Sequence, residues 1–207
     1  MTTLSHSTRG ARRRERWTLG FLAVWAAGAS VVMATLMASH WVALPRPERD
    51  DPRLNASLAS LPRDEQHARW RMHHVLYAEC GCSRRVLEHV AARARTDDVD
   101  EIVLLVGEDD EFARLCRESN LRLEQVSKEQ LEQRFGVEAA PLLVITDPSG
   151  ATRYCGGYTD RKRGLAYQDL ATLARLRAGE QAAPLPVYGC GVTNSLQAAL
   201  DPLGLKY

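Results

Sequence analysis

Five consecutive apolar residues, Ile102 to Val106, run without interruption and are closed by Gly107. A strand with one buried face alternates apolar and polar residues, so an unbroken run is typical of a strand covered on both sides. Such strands occur mainly in sheets that carry helices on both faces. The run therefore predicts an α/β fold with a buried central sheet.

The segments around this run alternate between strand and helix patterns. In chain order the predicted elements are a strand (74–78), a helix (Val86, Leu87, Val90 and Ala94 on one face), the strand 102–106, a helix (Phe112, Leu115 and Cys116), a strand (121–126), a helix (128–135) ended by Gly136, two strands (142–146 and 151–158) and a helix (166–178). The short turn 147–150 joins the last two strands as a β-hairpin. No internal repeat is visible.

Two cysteines stand at the junction between the first strand and its helix, in the motif Cys80-Gly81-Cys82. The N-terminus of a helix offers unpaired N–H groups and a partial positive charge, and both favour a thiolate over a thiol. A pair of thiols at this junction is typical of a redox or metal-binding site. The alternative is that both cysteines are inert packing residues.

The segment 17–39 contains no charged residue and is rich in Ala, Val, Leu and Met. As a helix it spans about 34 Å, which is enough to cross a hydrocarbon core of about 30 Å. Trp17 and Trp41 lie at its edges, where amphipathic rings prefer the membrane interface. Five arginines precede it: Arg9, Arg12, Arg13, Arg14 and Arg16. The positive-inside rule then puts the N-terminus in the cytoplasm and the remainder outside.

A cleaved signal peptide is the competing interpretation of this segment. Its apolar region usually runs for only about 7–15 residues and ends at a small-residue cleavage site. The segment here is longer, and Ala38-Ser39-His40 is a poor match to such a site. Under either interpretation the rest of the chain faces an oxidising compartment, where a thiol pair can cycle as a disulfide.

The composition excludes some classes of protein. The chain has 207 residues and a net charge of +1, so we expect no nucleic-acid partner. It contains five cysteines, at 80, 82, 116, 155 and 190. An odd number over a chain of this length does not indicate a small disulfide scaffold.

These features divide the chain into five predicted segments. They are a cytoplasmic basic N-terminus (1–16), a transmembrane helix (17–39), a proline-rich polar tether followed by a weak helix (40–70), the α/β domain (71–178) and a C-terminal extension with a short helix through Leu200 (179–207).

The order of elements, with cysteines after the first strand, resembles the thioredoxin-like fold across about 71–178. The most specific match is the helix end Phe135-Gly136, then Ala140-Pro141 before a strand, a glycine-containing turn and Gly156-Gly157. The resemblance implies a central mixed sheet with flanking helices and a cis peptide bond at Ala140-Pro141. It also implies that Pro141 faces the redox cysteines and that the backbone of Ala140 pairs with the substrate.

The thiol motif departs from the Cys-x-x-Cys of that family. Ser83 stands at the usual second cysteine position, and Cys82 lies one residue early. A disulfide between Cys80 and Cys82 closes a small, strained ring with a glycine that eases the backbone, and strained disulfides are more oxidising. The pattern resembles membrane-anchored thioredoxin-like proteins of bacterial envelopes. That resemblance implies a bacterial inner-membrane protein, single-pass, with its C-terminal domain in the periplasm.

Cys80 directly follows the strand, at the nucleophile's position in the family, and we expect it to be the attacking thiol. Cys82 is the alternative, since it lies nearer the helix N-terminus. Cys155 and Cys190 can form a structural disulfide that fastens the extension to the sheet; alternatively, Cys190 lies near the active site as a second resolving thiol, or neither is bonded. Cys116 is expected to be a core residue.

Three further residues are candidates for a role beside the thiols. His73 or His74 could lie beneath the redox site, where the family keeps a buried proton-accepting carboxylate, although a strand-end histidine without that role is commoner. Glu79 would raise the pKa of a neighbouring cysteine if its carboxylate pointed toward the thiol.

We expect a membrane-anchored thiol–disulfide oxidoreductase with no cofactor, whose partners are a thiol or disulfide protein and, through 17–39, the lipid bilayer. The alternative is a thiolate metal-binding module for copper delivery or electron transfer, with a third ligand from Cys190 or a histidine. Against that alternative, no spacing in the sequence supplies a complete ligand set, so no metal ligand is assigned. A third class is a binding module on a degenerate scaffold.

Overall fold

The computed structural model describes residues 8–41, 43–62, 69–96, 98–162, 164–202 and 204. Parts of the predicted segments 1–16, 40–70 and 179–207 therefore lie outside the described residues. The chain divides into two compact units, Met1–Val42 and Ala43–Tyr207.

The first unit contains one continuous helix, α1, over Thr8–Trp41. Its stretch Arg14–Ala34 is long and apolar enough to cross a membrane, by length and composition. The large apolar side chains of this stretch are exposed, including Trp17 at 72% and Phe21 at 70%. A signal sequence near an N-terminus meets the same criteria. The chain therefore has an N-terminal apolar helix.

The second unit is built on a five-stranded mixed sheet. Its elements in chain order are α2 (Pro52–Ala59), β1 (Trp70–Tyr77), α3 (Gly81–Ala92), β2 (Val99–Val106), α4 (Asp110–Glu118), β3 (Arg122–Val126), α5 (Lys128–Gln130) continued by a π-helical turn (Leu131–Phe135), β4 (Ala139–Ala140), β5 (Leu142–Thr146), β6 (Thr152–Gly156), α6 (Asp169–Arg177), β7 (Cys190–Gly191) and α7 (Asn194–Leu200). The strand order in the sheet is β3-β2-β1-β5-β6. β1 is parallel to β2, and β2 to β3, whereas β5 is antiparallel to both β1 and β6.

The helices α3 and α4 lie on one face of the sheet. They connect three parallel strands that advance in one direction, and right-handed crossovers place both helices on the same side. Together with α6 they cover the apolar residues of β1, β2 and β5 that point to this face. Cys116 of α4 is 1% exposed within this cluster, which confirms it as a core residue.

The opposite face is covered by α2 and the π-helical turn. Asp51 caps α2 by accepting hydrogen bonds from the N–H groups of Arg53 and Leu54, at 2.8 and 3.4 Å. Leu54 and Leu58 of α2 belong to the same apolar cluster as the buried residues of the turn. Leu44 is only 7% exposed. The segment predicted as a tether and weak helix thus packs onto the sheet, because its apolar residues fill this face.

The C-terminal extension also packs on this face. Val187 and Val192 are fully buried in the same cluster, and β7 pairs with β4 in a two-stranded sheet. The core of the second unit therefore does not end at residue 178. Instead, the unit begins at Ala43 and includes the extension.

The β5–β6 hairpin turns at Asp147, as predicted. The Asp147 carboxylate accepts a hydrogen bond from the N–H of Ala151 at 3.0 Å, and Gly150 takes a positive φ of 88° that favours glycine. The order of elements, the mixed sheet and the helices on both faces make this a thioredoxin-like fold, as the sequence predicted.

Candidate functional site

Cys80 lies at the point where β1 has ended and α3 begins. It is the N-cap residue of α3, and its backbone is extended, with φ −106° and ψ 111°. Its N–H donates to the carbonyl of Tyr77 at 3.0 Å, while the Ser83 hydroxyl accepts from the N–H of Tyr77 at 3.0 Å. These bonds fix the turn between strand and helix, and they hold both thiols at the N-terminus of α3.

The two thiols of the motif differ in their exposure to solvent. Cys80 is 1% exposed, whereas Cys82 is half-buried. Cys80 belongs to the apolar cluster on the face of the sheet that α2 covers, and Cys82 packs against that cluster. The guanidinium of Arg85, three residues further along α3, donates to the Cys82 sulfur at 3.3 Å. Cys82 is thus the thiol that is open to an incoming molecule.

Pro141 lies opposite these thiols. The Ala140–Pro141 peptide bond is cis, as the resemblance implied. The Cys80 sulfur lies 3.9 Å from the carbonyl oxygen of Ala140. Pro141 and Cys82 line one open cleft, together with Arg85, Val86, Tyr158, Thr159, Lys162, Gly164, Tyr167, Pro186 and Tyr188. The structure therefore brings together Cys80, Cys82, Ala140 and Pro141.

A third thiol joins this site from the C-terminal extension. Cys190 lies opposite Ala140 in the β4–β7 pair, and its side chain packs against the apolar cluster that contains Cys80. The carbonyl oxygen of Ala140 in turn lies 3.9 Å from the Cys80 sulfur. The backbone of Ala140, which we expected to pair with substrate, is thus paired with β7 of the same chain. Of the alternatives that the sequence left open for Cys190, the structure shows the one in which this residue lies beside the redox site.

Cys155 lies elsewhere, on β6 opposite Val144 of β5. It is 2% exposed, and burial raises the pKa of its thiol to about 12. None of the five cysteines, all of which are among the described residues, forms a disulfide. The structure places the two cysteines of the possible structural disulfide at different strand pairs, Cys155 opposite Val144 and Cys190 opposite Ala140.

The three thiols of the site are electrostatically coupled. Contact with Cys190 raises the pKa of Cys80, contact with Cys82 lowers it, and burial raises it further. The pKa of Cys82 is raised in turn by its hydrogen bond with Cys80 and by burial, while Arg85 lowers it. Ionisation of one thiol opposes ionisation of its neighbours, so the cluster carries at most one negative charge near neutral pH.

His74 belongs to a buried polar network rather than to the thiol cluster. Its Nδ1 lies 2.8 Å from the Tyr158 hydroxyl, and its Nε2 lies 3.1 Å from the Glu101 carboxylate. Burial opposes ionisation of Glu101, but hydrogen bonds from His74 and Arg93 outweigh it and lower its pKa to about 2. Arg93 continues the network to Asp169 at 2.7 Å. The network reaches the cleft through Tyr158, which lines it.

His73 and Glu79 have surroundings different from those of His74, and His73 lies on the face of β1 where Val75 and Tyr77 share an apolar cluster with Cys80. His73 is buried and follows the alternation of β1, so its side chain lies on the face opposite His74. The carboxylate of Glu79 accepts a hydrogen bond from the Tyr77 hydroxyl. The structure thus turns Glu79 toward the Tyr77 ring, and the ammonium of Lys128 lies 5.1 Å from that ring.

Sequence reasoning missed three groups of functional candidates. Arg85 follows Cys82 at helical i+3 spacing, which is a signal that could have identified it. Tyr158 and Tyr167 reach the cleft from segments distant in sequence, for which no sequence signal exists. Gly189 and Gly191 flank Cys190, and this pattern indicates close backbone approach.

No group of three or more His, Cys, Asp or Glu side chains arranged to hold a metal ion is found among the described residues. The described residues therefore supply no such ligand group for the alternative, a thiolate metal-binding module.

The site thus consists of two thiols at the start of α3, a cis proline opposite them and a third thiol alongside, all within a thioredoxin-like fold. No protein-family model matches the sequence. No curated protein matches it either.

Solved structures do resemble the chain. A hypothetical protein, SMc02350 from Sinorhizobium meliloti 1021, is 14% identical over 61% of this chain and 80% of that one, with a TM-score of 0.50. A conserved protein from Geobacillus kaustophilus is 13% identical over 63% of this chain and 79% of its own, with a TM-score of 0.49. A secreted Mycobacterium tuberculosis disulfide oxidoreductase homologous to E. coli DsbE is 17% identical over 62% of this chain and 98% of its own, with a TM-score of 0.38. At these identities the likeness concerns the fold alone.

Proposed function

We propose that this chain is a thiol–disulfide oxidoreductase that uses Cys80 and Cys82 as its redox pair. The observation that carries the proposal is the placement of both thiols at the N-terminus of α3, with Cys80 3.9 Å from the carbonyl of Ala140 and with Cys82 and Pro141 lining one cleft. The guanidinium of Arg85 lowers the pKa of Cys82 against the raising effects of Cys80 and burial, and a helix N-terminus also stabilises a thiolate. No other thiol outside this site has comparable access, since Cys116 and Cys155 are buried.

Cys82 is the attacking thiol in this proposal, because it faces the cleft while Cys80 is covered. Its thiolate attacks one sulfur of a substrate disulfide, so that a mixed disulfide forms and the other substrate sulfur leaves with a proton. The Cys80 sulfur then attacks Cys82, which closes the Cys80–Cys82 disulfide and releases the second substrate thiol. The substrate gains two electrons and the pair loses two. The reverse sequence oxidises a dithiol.

The proposal includes a location. The apolar stretch of α1 and the arginines at the N-terminal end of that helix support a single-pass anchor in a bacterial inner membrane, with the redox unit on the periplasmic side. The partners are then thiol or disulfide proteins of that compartment. Cysteine-accessibility labelling tests the orientation: residues beyond 45 should react with an external reagent, and their protection would contradict it.

Variants in which one cysteine at a time is replaced test the chemistry. The full chain in detergent is mixed with a disulfide substrate carrying a fluorescent reporter, and both exchange rate and mixed disulfides are measured. Cys82→Ser should abolish exchange, whereas Cys80→Ser should trap a mixed disulfide on Cys82. If Cys80 attacks first, the two phenotypes exchange places. Cys116→Ala, in the core, is the matched control and should keep wild-type activity.

Two outcomes would reject the proposal. Full activity in both the Cys80 and the Cys82 variants would end the oxidoreductase interpretation. A stoichiometric metal in the purified protein, lost when either cysteine is replaced, would favour the thiolate metal-binding alternative instead. Metal analysis alongside a thiol titration of the same samples distinguishes these results.

A further inference from the structure

The C-terminal segment 184–193, called the strap from here on, is anchored on both sides of Cys190. On the N-terminal side of Cys190, the carbonyl of Leu185 accepts a hydrogen bond from the N–H of Gly157 at 2.9 Å. The carbonyl of Val187 accepts one from the N–H of Leu44 at 2.8 Å. After Cys190, the N–H of Val192 donates to the carbonyl of Glu138 at 2.7 Å. Val187 and Val192 are fully buried. The strap therefore holds Cys190 at a fixed position.

The strap lies directly on the Ala140–Pro141 peptide. At Gly189 a Cβ atom would stand 1.9 Å from the Ala140 carbonyl oxygen and 2.6 Å from Cδ of Pro141. Only glycine permits such an approach of two backbones. The next residue, Cys190, then falls opposite Ala140 in the β4–β7 register. Close packing at Gly189 thus places Cys190 beside the redox site.

Cys80 has the other two thiols of the site as neighbours. The Cys82 and Cys190 side chains both pack against the apolar cluster that contains Cys80. The Cys80 sulfur also lies 3.9 Å from the carbonyl oxygen of Ala140, the residue opposite Cys190. Because Cys80 is 1% exposed, a substrate in the cleft meets Cys82 and not Cys80. Cys80 is therefore placed to exchange disulfides with its two neighbouring cysteines.

The two neighbours differ in how easily they can keep a disulfide with Cys80. Cys82 is two residues away on the first turn of α3, where side chains at i and i+2 do not face each other. A Cys80–Cys82 bond therefore distorts the start of the helix. Cys190 belongs to a separate strand, so its bond to Cys80 places no such demand on α3.

We propose that Cys190 is the third thiol of a relay, and this proposal rests on the function proposed above. The Cys190 sulfur attacks Cys80 in the Cys80–Cys82 disulfide. A Cys80–Cys190 bond forms, the Cys80–Cys82 bond breaks, and Cys82 leaves as a thiol with the proton that Cys190 gives up. The exchange is electron-neutral and needs no further oxidant. It returns Cys82 to the reduced form in the cleft and stores the disulfide under the strap.

Disulfide mapping of the full chain tests the relay without relying on activity. The protein in detergent is equilibrated in oxidising glutathione buffer, alkylated and digested with trypsin. Cys80 and Cys82 fall in one tryptic peptide, 72–84, and Cys190 in another, 178–206. We expect the cross-linked pair of peptides to be the main oxidised species. Cys190→Ser should shift the disulfide into peptide 72–84, and Cys155→Ser, the matched control, should change nothing.

Rate measurements give the second readout. With reduced glutathione supplied as the electron donor, the first turnover of Cys190→Ser with a substrate disulfide should keep its wild-type amplitude, while turnover beyond the first should slow by about tenfold relative to the wild type. A disulfide confined to peptide 72–84, or one that joins Cys155 to Cys190, with wild-type exchange intact, overturns the relay alone. Absence of exchange in the wild-type protein overturns the proposed function and with it the relay.

Discussion

Cys190 lies directly opposite Ala140 in the β4–β7 pair, although 50 positions separate them in the sequence. Ala140 precedes the cis proline, and its carbonyl oxygen lies 3.9 Å from the Cys80 sulfur. One backbone pairing thus brings the C-terminal thiol to the two thiols at the start of α3. The pairing also covers Cys80 and leaves Cys82 as the accessible sulfur.

The packing of Gly189 against Ala140 predicts the effect of a single methyl group. In Gly189→Ala the new Cβ meets the Ala140 carbonyl, so the strap must shift. We expect a loss of about 1–3 kcal/mol in the free energy of unfolding and faster alkylation of Cys80. Denaturant titration measures the free energy of unfolding, and mass spectrometry of iodoacetamide-treated protein measures the alkylation of Cys80.

Gly28→Ala is the matched control for that variant. A Cβ at Gly28 meets no atom within 4 Å. Its unfolding midpoint and its Cys80 labelling should equal those of the wild type. Unchanged labelling of Cys80 in Gly189→Ala would mean that the strap does not protect this thiol.

The burial of the cysteines predicts their order of reaction with iodoacetamide. Cys82 should be alkylated first in the reduced native protein. Cys116 and Cys155 should resist until the protein unfolds, because both are buried and the reagent cannot reach their sulfurs, whereas Cys82 is half-buried. Time-resolved peptide mapping at neutral pH measures this order. Equally fast modification of Cys155 and Cys82 would be inconsistent with the structure.

The Arg85–Cys82 contact predicts a change in the pH profile of alkylation. Interaction with Cys80 and burial raise the pKa of Cys82, and the Arg85 guanidinium acts against this rise. Arg85→Gln should therefore raise the pKa of Cys82 further and decrease its thiolate fraction at a given pH. We expect the alkylation rate of Cys82 at neutral pH to fall by about three- to tenfold and its profile to move to higher pH.

Arg84→Gln is the control for the Arg85 variant, since it removes the same charge one residue earlier. Arg84 contacts Asp109 and Glu111 at the start of α4 instead of a thiol. Its alkylation profile should match that of the wild type. If the two variants shift the profile equally, the effect comes from net charge and not from the hydrogen bond.

The buried carboxylate of Glu101 predicts acid sensitivity of the fold. Its folded-state pKa of about 2 lies below the ordinary 4.5, so its contribution is complete above pH 4.5 and is lost as the pH falls toward 2. The contribution is on the order of 3 kcal/mol. Denaturant titrations in steps of about one pH unit between pH 6 and pH 2 should record this decline in the free energy of unfolding.

Glu101→Gln should be less stable than the wild type at neutral pH and should depend less on pH between 4.5 and 2. Glu118→Gln is the control, because Glu118 forms an exposed ion pair with Arg114 that contributes little. A pH dependence in Glu101→Gln as steep as that of the wild type would assign the acid sensitivity to other groups.

Much of the fold was predictable from local pattern. The run Ile102–Val106 identified the buried strand, and the hairpin after Pro141 identified the antiparallel half of the sheet. The thiol pair at the start of α3 was predictable for the same reason, since a strand followed at once by a helix fixes where that junction lies.

The remainder of the site could not be predicted in this way. The segment around Leu44 and Leu54 has too few apolar residues to reveal a pattern, yet it fills one face of the sheet. Tyr158 and Cys190 reach the cleft and the thiol cluster through contacts between segments far apart in the sequence.

The sequence by itself determined the thioredoxin-like order of elements, the apolar N-terminal helix and the presence of Cys80 and Cys82 at a helix N-terminus, because these depend on residue periodicity and on neighbours along the chain. Only the tertiary structure decided that Cys80 is covered, that Cys82 faces the cleft and that Cys190 joins them. Those facts depend on which side of the sheet the C-terminal strap packs. That choice is made by burial of Val187 and Val192 and by the close approach at Gly189, which no local pattern encodes.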